Sequence, residues 1–267
     1  MNLKRQKKSN YSNNKLHLND KKIMESITIF GLRAILEAIN AEKPLDKVWL
    51  LKGHKSPLFE SLLHELRIQN IAHSFVPEER LQRFSAKNHQ GAVARIAPIA
   101  TVQIEPLLEN VLEKEKNPIF ILLDGVTDAR NFGAIIRTAA ATGVSGIIIS
   151  NTGSAPINGD VVKTSAGGIF KVPIAKVSHL KDAIYLMQAH DMKIMGISEK
   201  AEKDVFEKNM KGPIAVVMGA EDQGISKGVL KIIDEKAKLP MTNDIASLNV
   251  SVACAVILYE RVRQIQN

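Results

Sequence analysis

The stretch LPMTNDIASLNVSVACAVILYE, Leu239–Glu260, joins a strand end, a polar loop and an apolar helix. Leu239 and Met241 bracket Pro240, and a short apolar run carrying a proline places a strand end near a sheet edge. Thr242, Asn243 and Asp244 make a turn. Ser247 stands where a helix N-cap is expected, and Val250, Ala253, Cys254, Ile257, Leu258 and Val262 follow at helical spacing. A helix start leaves backbone N–H groups unpaired, so Ser247 and Asn249 are polar groups at a helix mouth suited to a polar ligand. Taken alone, the same residues read more readily as an ordinary capped helix with Asn249 exposed.

Two other stretches change that weighting: LDGVTDARNFGAIIRTA from Leu123 and VMGAEDQGIS over Val217–Ser226. In the first, Asn131 looks like a helix N-cap and Arg137, six residues on, takes a somewhat different face. Arg137 lies among Ile135, Ile136, Ala139 and Ala140, where a guanidinium needs an anionic partner or a hydrogen-bond network, and a structural salt bridge would serve as well as a ligand. In the second, glycines at GxxxxG spacing follow the buried strand PIAVVM and permit close backbone approach. Ile225 stands where a phosphate loop needs lysine, and Glu221 and Asp222 would repel phosphate, which excludes nucleoside triphosphate binding. A carboxylate there suits a ribose hydroxyl, an ammonium or an arginine.

Outward from these stretches the chain alternates strand and helix. PIFILLDGV, Pro118–Val126, is a continuous apolar run suited to a strand buried on both faces. A helix from Asn131 to Thr142, the strand SGIIIS, the short helix VVKTSAGG, the helix HLKDAIYLMQAH, the strands DMKIMGIS and PIAVVMG, the helix ISKGVLKIID and the strand KAKLP follow. The alternation predicts a mostly parallel sheet with helices on both faces. Upstream, FGLRAILEAIN reads as a helix, DKVWLLK as a strand, PLFESLLHELRIQN as a helix, IAHSFV as a strand and PEERLQRFS as a short helix before NHQGAVARIAP, a loop and strand. That is a small α/β unit.

The loop Ser85–Gly91 gathers Lys87, Asn88, His89 and Gln90, which suits contact with phosphate, sugar or base edges, though a polar turn before a strand reads the same way. Arg33, Lys52, His54 and Lys55 are equally double. The expected domains are a disordered basic arm over 1–26, a small α/β domain over 27–99, a charged linker over 100–117 that is helix-like near Glu105–Lys116, and a second domain over 118–267.

The 267 residues carry a formal net charge of +8 and a pI near 9.4, which favours a polyanionic partner, and 45% are apolar, enough for a proper core. The single cysteine, Cys254, lies on the apolar helix face as a small buried hydrophobe and excludes a disulfide or multi-cysteine metal site within one chain. No stretch has the length of a membrane span and the leader lacks a secretory apolar core, so the cytoplasm is expected. No strand is followed by GxGxxG, which excludes a nicotinamide dinucleotide site of the usual kind.

Together and in this order, the three stretches resemble the three motifs of the SpoU/TrmH family, the SPOUT-superfamily RNA 2′-O-ribose methyltransferases, from about Ile119 to the end. IFGLRAILEAI and NHQGAVA resemble the substrate-binding domain of that family's 23S rRNA guanosine-2′-O branch. The resemblance implies an α/β fold with a deep trefoil knot in its C-terminal half, preceded by a small domain like ribosomal protein L30e. It implies S-adenosylmethionine at Gly219, Leu239, Met241 and Leu248, and a reaction site of Asn131, Arg137, Glu221, Ser247 and Asn249. It also implies RNA contacts from Arg33, Lys87, Asn88, His89 and Gln90, a homodimer and no metal. Within the resemblance, a tRNA or another rRNA ribose stays open as target, as does a noncatalytic RNA-binding protein of ribosome assembly.

Overall fold

The computed structural model describes residues 26–84, 88–243 and 247–266. The chain divides into two compact units, Met1–Pro98 and Ile99–Asn267. The basic arm expected over residues 1–26 lies outside the described residues up to residue 25, as does Lys87.

The first unit holds a four-stranded mixed sheet in the order β1-β4-β2-β3: β1 (Ile27–Phe30), β2 (Leu45–Leu51), β3 (His73–Val76) and β4 (Ala92–Ile96). β4 runs antiparallel to both β1 and β2, and β3 runs parallel to β2. Helix α1 (Leu32–Asn40) packs on β4 and on α2 (Pro57–Ile68), whose start is capped by Ser56 Oγ accepting from Phe59 N at 3.2 Å. On the other sheet face Phe30, Trp49, Val76 and Val93 form an apolar cluster with Leu81 of the short helix α3 (Glu78–Gln82). The expected helix FGLRAILEAIN is α1, begun at Leu32, and the strand β1 ahead of it was not expected. The run ITIF has the β-branched alternation of a strand, and Gly31, at φ 98° with its N–H bonded to Ala92 O, makes the break before α1.

The second unit is built on a six-stranded sheet, all parallel, in the order β10-β8-β9-β5-β6-β7. Its strands are β5 (Ile119–Asp124), β6 (Gly146–Ser150), β7 (Ile174–Val177), β8 (Lys193–Ile197), β9 (Ile214–Gly219) and β10 (Glu235–Ala237). One face, including Phe120, Leu122, Ile148, Ile194 and Val217, is covered by α4 (Ile104–Lys114), α7 (Leu180–Ala189) and α8 (Lys227–Leu230). The opposite face lies under α5 (Ala129–Thr142) and α9 (Val250–Gln266), which pack on each other, while α6 (Gly159–Thr164) packs on α5. That arrangement leaves the central strands buried on both faces, as their unbroken apolar runs require.

Residues 100–117, expected as a linker, carry α4, and Ile104, Leu107, Leu108 and Val111 are buried in this core. The stretch ISKGVLKIID, expected as one helix, is helical only over α8 before turns lead into β10. The strand expected at KAKLP ends at Ala237, so Leu239 lies beyond it. β10 is an edge strand with three paired positions, which fits the proline just past its end.

Arg261 anchors α9 to the opposite end of the sheet from the site described below. The residue is 2% exposed, and Nη2 donates to the carbonyls of Asn117, Pro118 and Gly212 at 2.7, 3.2 and 3.0 Å. Burial without a carboxylate pushes its pKa down to about 10. Glu260, also buried, accepts two hydrogen bonds from Arg263 and one from Gln264.

Candidate active site

In a parallel sheet the carboxyl ends of the strands all open on one edge, and their loops are free to build a site. The order β10-β8-β9-β5 brings four such loops side by side. A cavity of about 330 Å³ lies there, lined after β8 by Ser198, Glu199 and Lys200, after β9 by Gly219–Gly224, and after β10 by Leu239 and Met241. Ser247, Leu248, Val250 and Ala253 close it from the start of α9. Gly219, Leu239, Met241 and Leu248 therefore all line one cavity, with Glu221 and Ser247. A Cβ on Gly219 would fall 2.1 Å from Gly224 C, so this tight loop admits only glycine. The loop is closed by paired hydrogen bonds between Ala220 and Gly224, and Ser226 N donates to Asp124 Oδ2 at 2.8 Å.

Beside the cavity, three side chains from the three signature stretches meet. Asn131 Nδ2 donates to Glu221 Oε1 at 3.1 Å, and Asn249 Nδ2 donates both to Asn131 Oδ1 at 3.0 Å and, through a short contact, to Glu221 Oε1. Val250 N donates to the same Glu221 oxygen at 3.2 Å. One carboxylate oxygen thus gathers three N–H donors at a helix N-terminus, where negative charge is favoured.

The helix caps differ from the expected ones. Asp128, not Asn131, caps α5, its Oδ1 accepting from Arg130 N at 2.7 Å and Asn131 N at 2.9 Å. Asn131 sits a turn in, and its side chain is spared for Glu221. At α9 the helix begins at Val250 and Asn249 caps it, Oδ1 accepting from Ser251 N at 3.0 Å, Ser251 Oγ at 2.6 Å and Val252 N at 3.4 Å. Ser247 lies two residues earlier, exposed on the cavity wall. An aspartate three residues ahead of the predicted helix was a signal for the first cap; the second depends on where the turn after Met241 ends.

Arg137 is not joined to this cluster. It is exposed, about 120° around α5 from Asn131, and has no hydrogen bond or ion pair among the described residues. Its apolar neighbours Ile135, Ile136 and Ala139 turn into the core, so the expected apolar setting does not hold for the guanidinium itself, which faces solvent. Cys254 is fully buried, and burial pushes its thiol up to about 12, which keeps it protonated and inert.

In the first unit, Asn88 and Gln90 are exposed, and Arg33 is exposed on α1. Asn88 Oδ1 accepts from Gln90 N at 3.3 Å, and His89 Nδ1 accepts from Gly91 N at 3.1 Å. Acceptance at Nδ1 leaves the proton of the neutral ring on Nε2. Gly91, at φ 83°, would carry a Cβ 3.1 Å from the His54 ring, so the turn packs against that histidine.

The described residues contain no group of three or more side chains able to hold a metal ion, and no helix long and apolar enough to cross a membrane.

Residues 118–259 match the model of the SpoU rRNA Methylase family, and residues 28–102 that of the RNA 2′-O ribose methyltransferase substrate binding domain. The chain is 32% identical over 243 residues to the 23S rRNA (guanosine-2′-O-)-methyltransferase RlmB of Vibrio vulnificus, covering 90% of this chain and 98% of that one. The Pasteurella multocida protein of the same name is 34% identical over 242 residues, at 90% and 98% coverage. In structure, the chain resembles the SpoU methyltransferase AviRb from Streptomyces viridochromogenes in complex with the cofactor AdoMet. There the TM-score is 0.76 at 22% identity, covering 93% of this chain and 94% of that one, a likeness of fold.

Proposed function

The chain belongs to the SpoU rRNA Methylase family, and we propose that it transfers a methyl group from S-adenosylmethionine to the ribose 2′-hydroxyl of a guanosine in 23S rRNA. The observation that carries this reading is the hydrogen-bonded cluster of Asn131, Glu221 and Asn249 at the rim of a cavity of the right chemistry. Likeness to the 23S rRNA enzymes over nine-tenths of the chain supports the choice of substrate.

The cavity fits the cofactor. Its volume of about 330 Å³ is in the range of small-molecule sites, and Met218, Leu239, Leu248 and Ala253 give the apolar wall an adenine needs. Glu199, Glu221 and Asp222 give a negative lining against a sulfonium and an ammonium, and Lys200 can meet a carboxylate. When bound there the cofactor supplies an electrophilic methyl group. The protein's share is orientation: Gly219, Leu239, Met241 and Leu248 hold the cofactor, while Asn131, Glu221 and Asn249 fix the rim across which the ribose approaches. Ser247 adds a hydroxyl at the same rim.

Arg137 acts on the RNA. A guanidinium stays protonated in proteins, so it is not the proton acceptor; it holds the adjoining phosphate and stabilises the developing alkoxide. Its exposure, with no partner among the described residues, leaves it open to a polyanion. Arg33, Lys87, Asn88, His89 and Gln90 are assigned to RNA contact in the first unit.

The finer assembly belongs to the same reading. α9 leaves Val252 49% and Tyr259 56% exposed at one-face spacing with half-buried Val256, an apolar stripe that supports a homodimer. The trefoil knot and a cytoplasmic location are part of it. The test is transfer of labelled methyl from S-adenosylmethionine to unmodified 23S rRNA and to bulk tRNA, with ribose methylation mapped and Asn249→Ala run alongside. Transfer to one guanosine of 23S rRNA, lost in the variant, is expected; transfer to tRNA alone, or to neither, overturns the substrate.

A further inference from the structure

The side chains at alternate positions of β2 and β4 share one face of the first unit's sheet. Trp49 and Val93 belong to the apolar cluster under α3, and Lys47 and Arg95 continue that face by one position. Lys47 and Arg95 are paired directly across the two antiparallel strands. Like charges so placed repel, and sheets ordinarily avoid them.

No carboxylate among the described residues relieves the pair. Among the described residues neither cation has an ion pair or hydrogen bond; each lies instead 5.8 Å from the ring centroid of Trp49. The indole is held by stacking on Phe84 at 4.2 Å, is 5% exposed, and its Nε1–H has no acceptor. Stacking keeps the indole from moving, so the two charges stand on a rigid floor, and attraction to its π-face holds them together there in place of an anion. Lys47 is exposed and Arg95 half-buried, so both charges can be reached from solvent.

We propose that Lys47 and Arg95, braced on Trp49, form a phosphate-docking surface for the RNA substrate where this sheet face of the first unit runs on beyond the apolar cluster, separate from the loop Asn88–Gly91. The proposal rests on the methyltransferase reading for the identity of the polyanion. Charge complementarity chooses RNA: two adjacent cations without a counterion suit successive phosphates, which neutralise both and release condensed counterions. The burial of Trp49 rules out base stacking, so the surface positions RNA and reads no sequence.

Trp49 is the only tryptophan in the chain, so its emission reports on this surface directly. The experiment titrates the full-length protein with unmodified 23S rRNA transcript and with tRNA, following Trp49 emission, affinity at several salt concentrations and methyl transfer. It compares wild type with the double variants Lys47→Gln/Arg95→Gln and Lys47→Arg/Arg95→Lys. On whichever RNA the wild type methylates, the glutamine variant should bind about tenfold more weakly, with a salt slope shallower by about 1.4 for two lost single-strand phosphate contacts. Its KM for RNA rises while kcat, S-adenosylmethionine affinity and melting temperature hold; the charge-preserving swap binds as wild type does. Saturating RNA shifts Trp49 emission. Wild-type affinity and salt slope in the glutamine variant, or no emission change at saturation, overturns the surface while methyl transfer leaves the enzymatic reading standing. A wild type that methylates neither RNA overturns both.

Discussion

Asn249 Nδ2 lies 3.0 Å from Asn131 Oδ1, 118 positions earlier in the chain, and both amides converge on Glu221. Asn249 works in two directions, because its oxygen caps α9 while its nitrogen ties the first and second signature stretches to the third. Stability and activity should therefore separate at this residue.

Asn249→Ala removes the cap and the bridge together. It should lower stability by about 1 kcal/mol and methyl transfer by at least about a hundredfold, read by thermal unfolding and single-turnover assay. Asn249→Asp keeps a capping oxygen but sets a carboxylate against Glu221 in place of a donor. It should be as inactive as the alanine variant; activity near wild type would show that the amide nitrogen does not matter.

Arg137→Ala should behave in the opposite way. The side chain is exposed and has no partner among the described residues, so stability should change by less than about 0.5 kcal/mol, while kcat/KM for RNA falls about a hundredfold to a thousandfold and S-adenosylmethionine affinity by calorimetry is unchanged. Arg137→Lys should recover only part, since an ammonium lacks the bidentate fork. Full activity in the lysine variant would argue against a special guanidinium role.

Arg261→Ala should destabilise by about 3 kcal/mol, because it empties a buried volume and strands the carbonyls of Asn117, Pro118 and Gly212. Denaturant unfolding measures this directly. An effect below the noise of the measurement would mean that water replaces the guanidinium.

Glu260 carries a pH dependence. Hydrogen bonds from Arg263 hold its carboxyl below the usual carboxylate range, with burial opposing the effect and Gln264 adding to it. A folded pKa below the unfolded one gives stability that is present above the unfolded value and lost as pH falls through the folded one. Between neutrality and about pH 3, the melting temperature of wild type should fall more steeply than that of Glu260→Gln, and the two curves should converge in acid. Parallel curves would sink the assignment.

The sequence by itself determined the class of fold. Unbroken apolar runs such as Ile119–Leu123 and Ile214–Met218 leave a strand buried on both faces as the natural solution, and alternation with helices makes the sheet parallel. Asn131, Glu221 and Asn249 stand out only through the resemblance of their three stretches to the SpoU/TrmH motifs; taken alone, Asn131 reads as a cap and Asn249 as an exposed polar residue. Periodicity did not reveal β1, where four residues before a glycine are too few to separate from the following helix. Only the tertiary structure decided that Asp128 and Asn249 are the caps, that Arg137 faces solvent, and that α4 belongs to the core. It also decided that Lys47 stands opposite Arg95. Exposure, core membership and strand register depend on which partners arrive from distant parts of the chain, and the caps, though local bonds, depend on where that packing lets each helix begin, whereas burial period is written locally in the residues themselves.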